Sequence, residues 1–338
     1  MLAARSRNVD LVRFLLDNGA DVACCNNDMF TALHKAAKIA NNVDVLRLLI
    51  DRGVDVNARD RYDRLPIDLA AGVANFRFLM EAGTDPERAL VAAAASQFDY
   101  IVGQLIDSGV DVDARGGSNG WSALQVCCAT RSSAHVLFSH LLVCGADVKV
   151  FSTDRKWNAL RFAINRGCAA SCARLLAADA DVHAANLHGD APLHFALRTV
   201  PYNCLSLLLA AGADIGTVDK HFLLGMWTDD VHIQCLLVAA GATGCPVPFT
   251  EEELCAAQAE IAAAKKKIDA ARHNLKAERH KMVVKKALPM CIGQHSFELP
   301  AYVTLAVLDQ VLPGRLSELV PMHFKWDVIA AVKHFHES

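Results

Sequence analysis

The residues best equipped for chemistry in this sequence are cysteines and histidines. Cys168 and Cys172 stand four apart, which puts both thiols on one face of a helix, a spacing a metal ion can use. A closed zinc site needs two further ligands at zinc spacing, and no such second pair accompanies them, so core packing is the expected use of both thiols. His34 and His194 each close a recurring tetrapeptide, Thr31-Ala32-Leu33-His34 and Ala191-Pro192-Leu193-His194. A fixed place in a repeated pattern assigns them a structural duty. No Gly-x-Ser-x-Gly, phosphate-cradling glycine loop, His-Glu-x-x-His or kinase signature is present, and the carboxylates recur with the repeat instead of converging. The expectation is a non-enzymatic chain without a cofactor or metal. What remains is recognition chemistry: aromatic and arginine residues in polar turns.

Bulk properties narrow the partners. The 338-residue chain is 53% hydrophobic and 21% charged, a balance that excludes a largely disordered chain. A formal charge of −3 gives no basic field, which argues against nucleic acid or an anionic membrane as partner. No apolar run approaches the roughly 18–20 residues that span a bilayer. The start MLAARSRNVD lacks the apolar core of a signal peptide. Twelve cysteines form no regular framework. An intracellular, reducing compartment is expected, the cytoplasm first and the nucleus left open.

The elements that position these groups recur. A Gly-x-Asp-x signal appears at Gly19, Gly53, Gly83, Gly109, Gly145 and Gly212, with Asp179 in the glycine position of one copy and a fading copy at Gly241. The intervals from 19 to 53 and from 145 to 179 are both 34 residues. Each signal closes an apolar helix such as Leu48-Leu49-Ile50 or Leu207-Leu208-Leu209, where glycine supplies a left-handed cap that other residues adopt only at a cost; at Asp179 slight strain is expected. Weaker helix openings occur at Leu65-Pro66-Ile67-Asp68, Ser122-Ala123-Leu124-Gln125 and Asn158-Ala159-Leu160-Arg161.

The turn, the Thr-Ala-Leu-His opening, the Ala36-Ala37 step, the apolar second helix and the Gly-Val-Asp-Val close resemble the ankyrin repeat. About eight copies would cover residues 1–244. The resemblance implies an all-α ankyrin-repeat solenoid, helix pairs with β-turn fingers, that binds a protein partner through its fingertips and concave face. The first copy begins inside its first helix, so an opening turn and a polar cap are missing from it. The copy from Glu87 to Arg115 has a compressed opening, and that from Lys220 to Thr243 reads as a worn cap.

The fingertip column, read from the residue before each helix opening, is Phe30, Arg64, Trp121, Trp157 and Asp190. Large aromatics and arginine suit interface anchors, and Tyr62, Arg155 and His188 supply a polar rim. The alternative is that each ring folds onto a neighbouring finger.

A second region follows Pro246-Val247-Pro248. Thr250 and Glu253 form a capping box that opens a helix reading to about Lys286. Leu254, Ile261, Ile268, Leu275 and Met282 are spaced by seven, with Ala257, Ala264 and Ala271 in the other core position. The stripe over residues 250–287 fits a coiled-coil homodimer or a helix packed back on the array. Residues 288–338 read as a small helical module. Leu299, Pro300, Leu305 and Leu308 faintly resemble the F-box-like tails of some ankyrin proteins, which would imply docking on a ubiquitin-ligase adaptor; a capping bundle is the plainer reading.

Overall fold

The computed structural model describes residues 1–117, 119–130, 135–198, 204–217, 231–243 and 248–293. Contacts divide the chain into two units, Met1–Ile268 and Asp269–Ser338.

The first unit is a succession of helix pairs. A 3-10 turn at Ala3–Arg5 precedes α1 (Val9–Asp17), and α2 (Ala32–Ala37) precedes α3 (Val43–Asp51). A second 3-10 turn at Pro66–Leu69 precedes α4 (Val73–Glu81). The next pairs are α5 (Pro86–Ser96) with α6 (Asp99–Asp107) and α7 (Ala123–Ala129) with α8 (His135–Val143). Then come α9 (Ala159–Asn165) with α10 (Ala169–Ala177), and α11 (Pro192–Arg198) with α12 (Leu205–Ala210). A 3-10 turn at Ile215–Thr217, α13 (Val231–Ala239) and α14 (Glu251–Gly293) follow. One finger is a true hairpin, β1 (Arg115–Gly116) antiparallel to β2 (Trp121–Ser122), with Gly116 opposite Trp121. The fold is the helical solenoid that the repeat implied.

Each recurring residue has a physical cause. The six cap glycines at 19, 53, 83, 109, 145 and 212 lie at φ between +85° and +96°. Asp179 holds the same bend at φ +62°. The aspartate two residues on closes an Asx turn: Asp21, Asp55, Asp111, Asp147, Asp181 and Asp214 each accept the N–H two residues ahead at 2.8–3.0 Å. Thr31, Ser122 and Asn158 cap their helices as the openings suggested. The opening at Leu65 differs: it yields one 3-10 turn because Ala70 turns to ψ +115°, and Asp68 accepts the Leu65 N–H at 2.8 Å. The compressed copy starts α5 directly at Pro86, capped by Asp85, with no finger before it.

The core is a row of fully buried side chains, Leu33, Leu46, Leu49, Ile67, Phe76, Leu79, Leu90, Ile101, Leu124, Leu137, Leu141 and Leu142, each wedged between its own pair and the next. Two buried asparagines stitch the first copies together. Asn42 donates to the carbonyls of Ala4 and Ala36 at 3.0 and 3.1 Å, and Asn75 Oδ1 accepts the Asn42 N–H at 3.0 Å. Asn75 donates in turn to Ala37 and Ile39 at 3.1 and 2.7 Å.

The start of α14 meets α13 at Glu253 and Glu260. The Cys235 thiol donates to the Glu253 carbonyl at 3.2 Å, and His232 meets Glu260 at 3.2 Å. Ala257, Ala264 and Ile268 are buried, while Leu254 and Ile261 are half-buried. In the second unit the helix continues with Leu275 buried and Met282 half-buried.

Replacing Asp179 by glycine removes the cost of a left-handed aspartate, offset in part by a freer unfolded chain. A gain of about 1 kcal/mol is expected, read as a thermal midpoint higher by about 2–4 °C. An unchanged or lower midpoint would show that the Asp179 side chain compensates its own backbone.

Candidate functional site

Four fingers are each closed by one side-chain acceptor. Asn26 Oδ1 takes the N–H groups of Asp28 and Phe30 at 3.1 and 2.9 Å. Asp60 Oδ1 takes those of Tyr62 and Arg64 at 2.8 and 2.9 Å, and Asn186 those of His188 and Asp190 at 2.8 and 3.0 Å. Ser152 Oγ accepts from Trp157 at 3.0 Å. Burial alone would raise the Asp60 carboxyl, but these N–H groups and the Arg64 guanidinium outweigh it and hold the pKa below the usual value.

The short helix that follows reaches to the next finger. Thr31 N–H donates to His34 Nδ1 at 3.2 Å, so the ring proton sits on Nε2, which donates to the Arg64 carbonyl at 3.1 Å. Gln125 plays the same part, accepting from Ser122 N–H at 2.9 Å and donating to the Val150 and Trp157 carbonyls at 2.8 and 3.0 Å. His194 Nδ1 accepts from Ala191 N–H at 3.0 Å. Both histidines are structural in this geometry. Cys172 is fully buried with its thiol 3.1 Å from Cys204, and Cys168 meets Ser171 at 3.2 Å. Among the described residues no group of three His, Cys, Asp or Glu converges on a metal-sized point.

The aromatic column is corrected at Phe30. Its ring is 5% exposed, edge-on to His34 at 5.4 Å, with Lys35, Lys38 and Arg64 at 4.2, 5.1 and 5.4 Å from its centroid. The long stems of these cations cover the ring while their charges stay wet, so it is packing and not an open anchor. Arg64 also covers Tyr62 at 4.8 Å, and Tyr62 remains 54% exposed.

Trp121 and Trp157 are half-buried and meet on a residue the column did not include. Trp121 lies 4.7 Å from Phe162 and Trp157 5.4 Å from it, both edge-on. The Arg161 guanidinium then stands 4.6 Å from Trp157 and 3.2 Å from Phe195. The result is a continuous ladder, Trp121–Phe162–Trp157–Arg161–Phe195, across three consecutive openings. Arg155, exposed, stacks at 5.1 Å from Trp157. Asp190 is half-buried and 4.0 Å from Arg198, and His188 is exposed beside it. The ladder's Arg161, Phe162 and Phe195 were missed in the sequence because they belong to helix openings, not to turns. The one available signal was arginine in the place of His34.

Next to Trp121 lies a cleft of about 340 Å³, whose lining includes Arg59, Asp63, Asp85, Arg88, Arg115 and Thr153. Arg88 is enclosed and paired with Asp68 at 2.6 Å, and Arg59 is paired with Asp63. Gly120 closes one edge at φ +57°, where a Cβ would sit 2.7 Å from Thr153. Three arginines, Arg59, Arg88 and Arg115, and two aspartates, Asp63 and Asp85, line this cleft, and Arg59 and Arg88 are engaged in ion pairs.

The family model described as "Ankyrin repeats" matches residues 1–89 and 129–219, more than half of the chain. The chain belongs to the ankyrin repeat family. Similar solved structures are ankyrin repeat domains too. That of human ASB11 is 18% identical with a TM-score of 0.48, over 63% of this chain and 96% of that one. One from Acinetobacter baumannii is 27% identical with a TM-score of 0.41, over 53% of this chain and 97% of that one. That of Bcl-3, titled a unique member of the IkappaB protein family, is 27% identical with a TM-score of 0.41, over 57% of this chain and 90% of that one. Among the described residues of this ankyrin chain, no helix is long and apolar enough to cross a membrane. Leu299, Pro300, Leu305 and Leu308 lie outside the described residues.

The His34 geometry carries a pH dependence. Burial is the largest influence on its pKa and lowers it from 6.5, against the Arg64 carbonyl, which raises it. Below about pH 6.5 the unfolded chain therefore takes up a proton that the folded chain resists, and stability falls as pH drops through that window. Urea midpoints at pH 7 and pH 5 should diverge, and His34→Gln, which keeps a donor and an acceptor as Gln125 does, should narrow the gap. An equal gap in the variant would place the acid sensitivity elsewhere.

Proposed function

We propose that this ankyrin repeat chain is a protein-capture scaffold whose contact surface centres on the fingers and short helices of residues 115–198. The aromatic–arginine ladder carries this reading. Trp, Tyr and Arg are the side chains that most often anchor protein interfaces, because they bury large area at low entropic cost and keep a polar handle. A half-buried ladder is already ordered before binding, which limits what the interface must immobilise. Arg155 and His188, exposed on the fingers of the ladder, and Tyr62, exposed on an earlier finger, suit a polar rim.

The chain is read as a non-catalytic binding protein of a reducing intracellular compartment. Free thiols at Cys24 and Cys25, both exposed, favour that compartment. A ubiquitin-ligase receptor would use the same ladder for its substrate and add docking through residues 288–338; that addition rests on the tail sequence alone. For residues 250–287, the two contacts between α13 and the start of α14 favour back-packing over homodimerisation, and Ala257 and Ala264 are buried in the single chain. Light scattering of the full chain should return the mass of one chain; a doubled mass would revive the dimer.

A benzophenone amino acid at His188 tests the capture surface directly. Irradiation in cells should give a discrete protein adduct, lost when Trp121 and Trp157 are both alanine. The same probe at Tyr100, exposed on the second helix of its pair, should give none. No adduct at His188, or equal adducts at both sites, would overturn the proposed surface.

A further inference from the structure

The ladder holds an imbalance of hydrogen-bonding groups. Among the described residues, the enclosed side-chain nitrogens without a partner are Trp121 Nε1, Asn158 Nδ2, Arg161 Nε and Arg161 Nη1. All are donors, and all belong to the ladder or to the cap residue of α9. No enclosed side-chain acceptor on the same residues is left over, since Asn158 Oδ1 takes the Arg161 N–H at 2.9 Å. Buried polar groups are normally satisfied, and a donor left bare costs free energy. A group of bare donors with no bare acceptor among them matches a ligand that brings acceptors.

Arg161 is the extreme member. It is 9% exposed, and desolvation pulls its pKa down to about 10, which still leaves it charged at neutral pH. Its contacts are the two rings of Trp157 and Phe195, with no carboxylate among the described residues at ion-pair distance. It also occupies the position where His34 and Gln125 reach the next finger's carbonyl, a bond that Arg161 does not make. The fold thus gives up an inter-repeat bond and buries a charge at one position. A local rule broken without a gain inside the fold marks a residue kept for another purpose.

We propose that Arg161, whose guanidinium carbon stands over the rings of Trp157 and Phe195, is the receptor for a carboxylate side chain of the captured protein, so that the partner segment is acidic. The inference rests on the capture reading above and names the partner's chemistry. A guanidinium offers paired N–H donors that match the two oxygens of a carboxylate, and ring stacking leaves that in-plane edge available. Nη2 is the guanidinium nitrogen outside the enclosed set. It meets the carboxylate first, and a shift of half-buried Trp157 brings Nη1 into the pair. Arg155 over Trp157 and Arg115 on the neighbouring cleft extend the positive field that steers an acidic segment to the site.

Fluorescence anisotropy of the full chain with labelled oligoglutamate, and with oligoglutamine as the uncharged match, tests this. Oligoglutamate should bind and oligoglutamine should bind roughly tenfold more weakly or worse. Arg161→Gln should bring oligoglutamate down to the oligoglutamine level, while its thermal midpoint holds or rises because glutamine can reach the next finger as Gln125 does. Arg161→Lys, which keeps the charge and loses the fork, should fall between. Equal binding of both peptides, no oligoglutamate binding, or unchanged binding by Arg161→Gln would overturn the proposal. So would a lower midpoint in Arg161→Gln, since Arg161 would then be a structural stack. If the cross-link at His188 persists through such a result, the capture reading stands and only the acidic partner falls; if that cross-link is absent while Arg161 binds oligoglutamate, the reverse holds.

Discussion

The structure depends on side chains that cross from one repeat to the backbone of the next. A solenoid has no shared core, so its order is the product of neighbour contacts. Apolar burial supplies most of the attraction: Leu33, Ile67, Leu90 and Leu124 sit at equivalent places and are all fully enclosed. Leucine on leucine tolerates slippage, however, because it has no direction. The hydrogen bonds from His34 to the Arg64 carbonyl, from Gln125 to that of Trp157, and from Asn42 and Asn75 to the backbones behind them do have direction. They fix the register in which the leucines then pack, and they satisfy turn carbonyls that would otherwise be buried bare.

That division explains what could be read from the sequence. The helix ends were legible because their causes are local: a positive φ demands glycine, and an Asx turn demands aspartate two residues later. Asp179 was legible as a departure for the same reason. Asn42 and Asn75 were not, since a lone asparagine after a short helix looks like any surface turn residue. Only the stacked neighbour reveals that both are buried and bonded to the backbone of an adjacent copy. The small hairpin at Arg115–Trp121 was hidden too, because two residues per strand leave no alternation to detect.

The aromatic column shows where a local rule stops. The residue before each opening was placed correctly at a finger, yet exposure did not follow. What decides it is the short helix behind the ring. Behind Phe30 stand Lys35 and Lys38, whose stems lie down over it, while Trp121 and Trp157 find Phe162 and lean on its edge. Sequence position gives the address of a ring, and the side chains packed on it give its posture. The heptad stripe of α14 has the same ambiguity. Alanine at alternate core places asks for a close neighbour, and the stripe by itself does not say whether that neighbour is another helix of the same chain or a second copy.

The position shared by His34, Asp68, Gln125, Arg161 and His194 joins both themes. Four of its five occupants are engaged with turn backbone: His34, Asp68, Gln125 and His194 each bond an N–H at their own helix opening. Asp68 has also traded the reach to the next finger for an ion pair with the enclosed Arg88. The Arg161 side chain alone makes no hydrogen bond and stands instead against two aromatic rings. Stacking on two rings contributes on the order of 1–4 kcal/mol, which is comparable to the cost of its bare donors and leaves little net stability. A position whose side chain bonds turn backbone in four other copies makes no such bond here. The arginine at that place is the feature on which the proposed acidic contact rests.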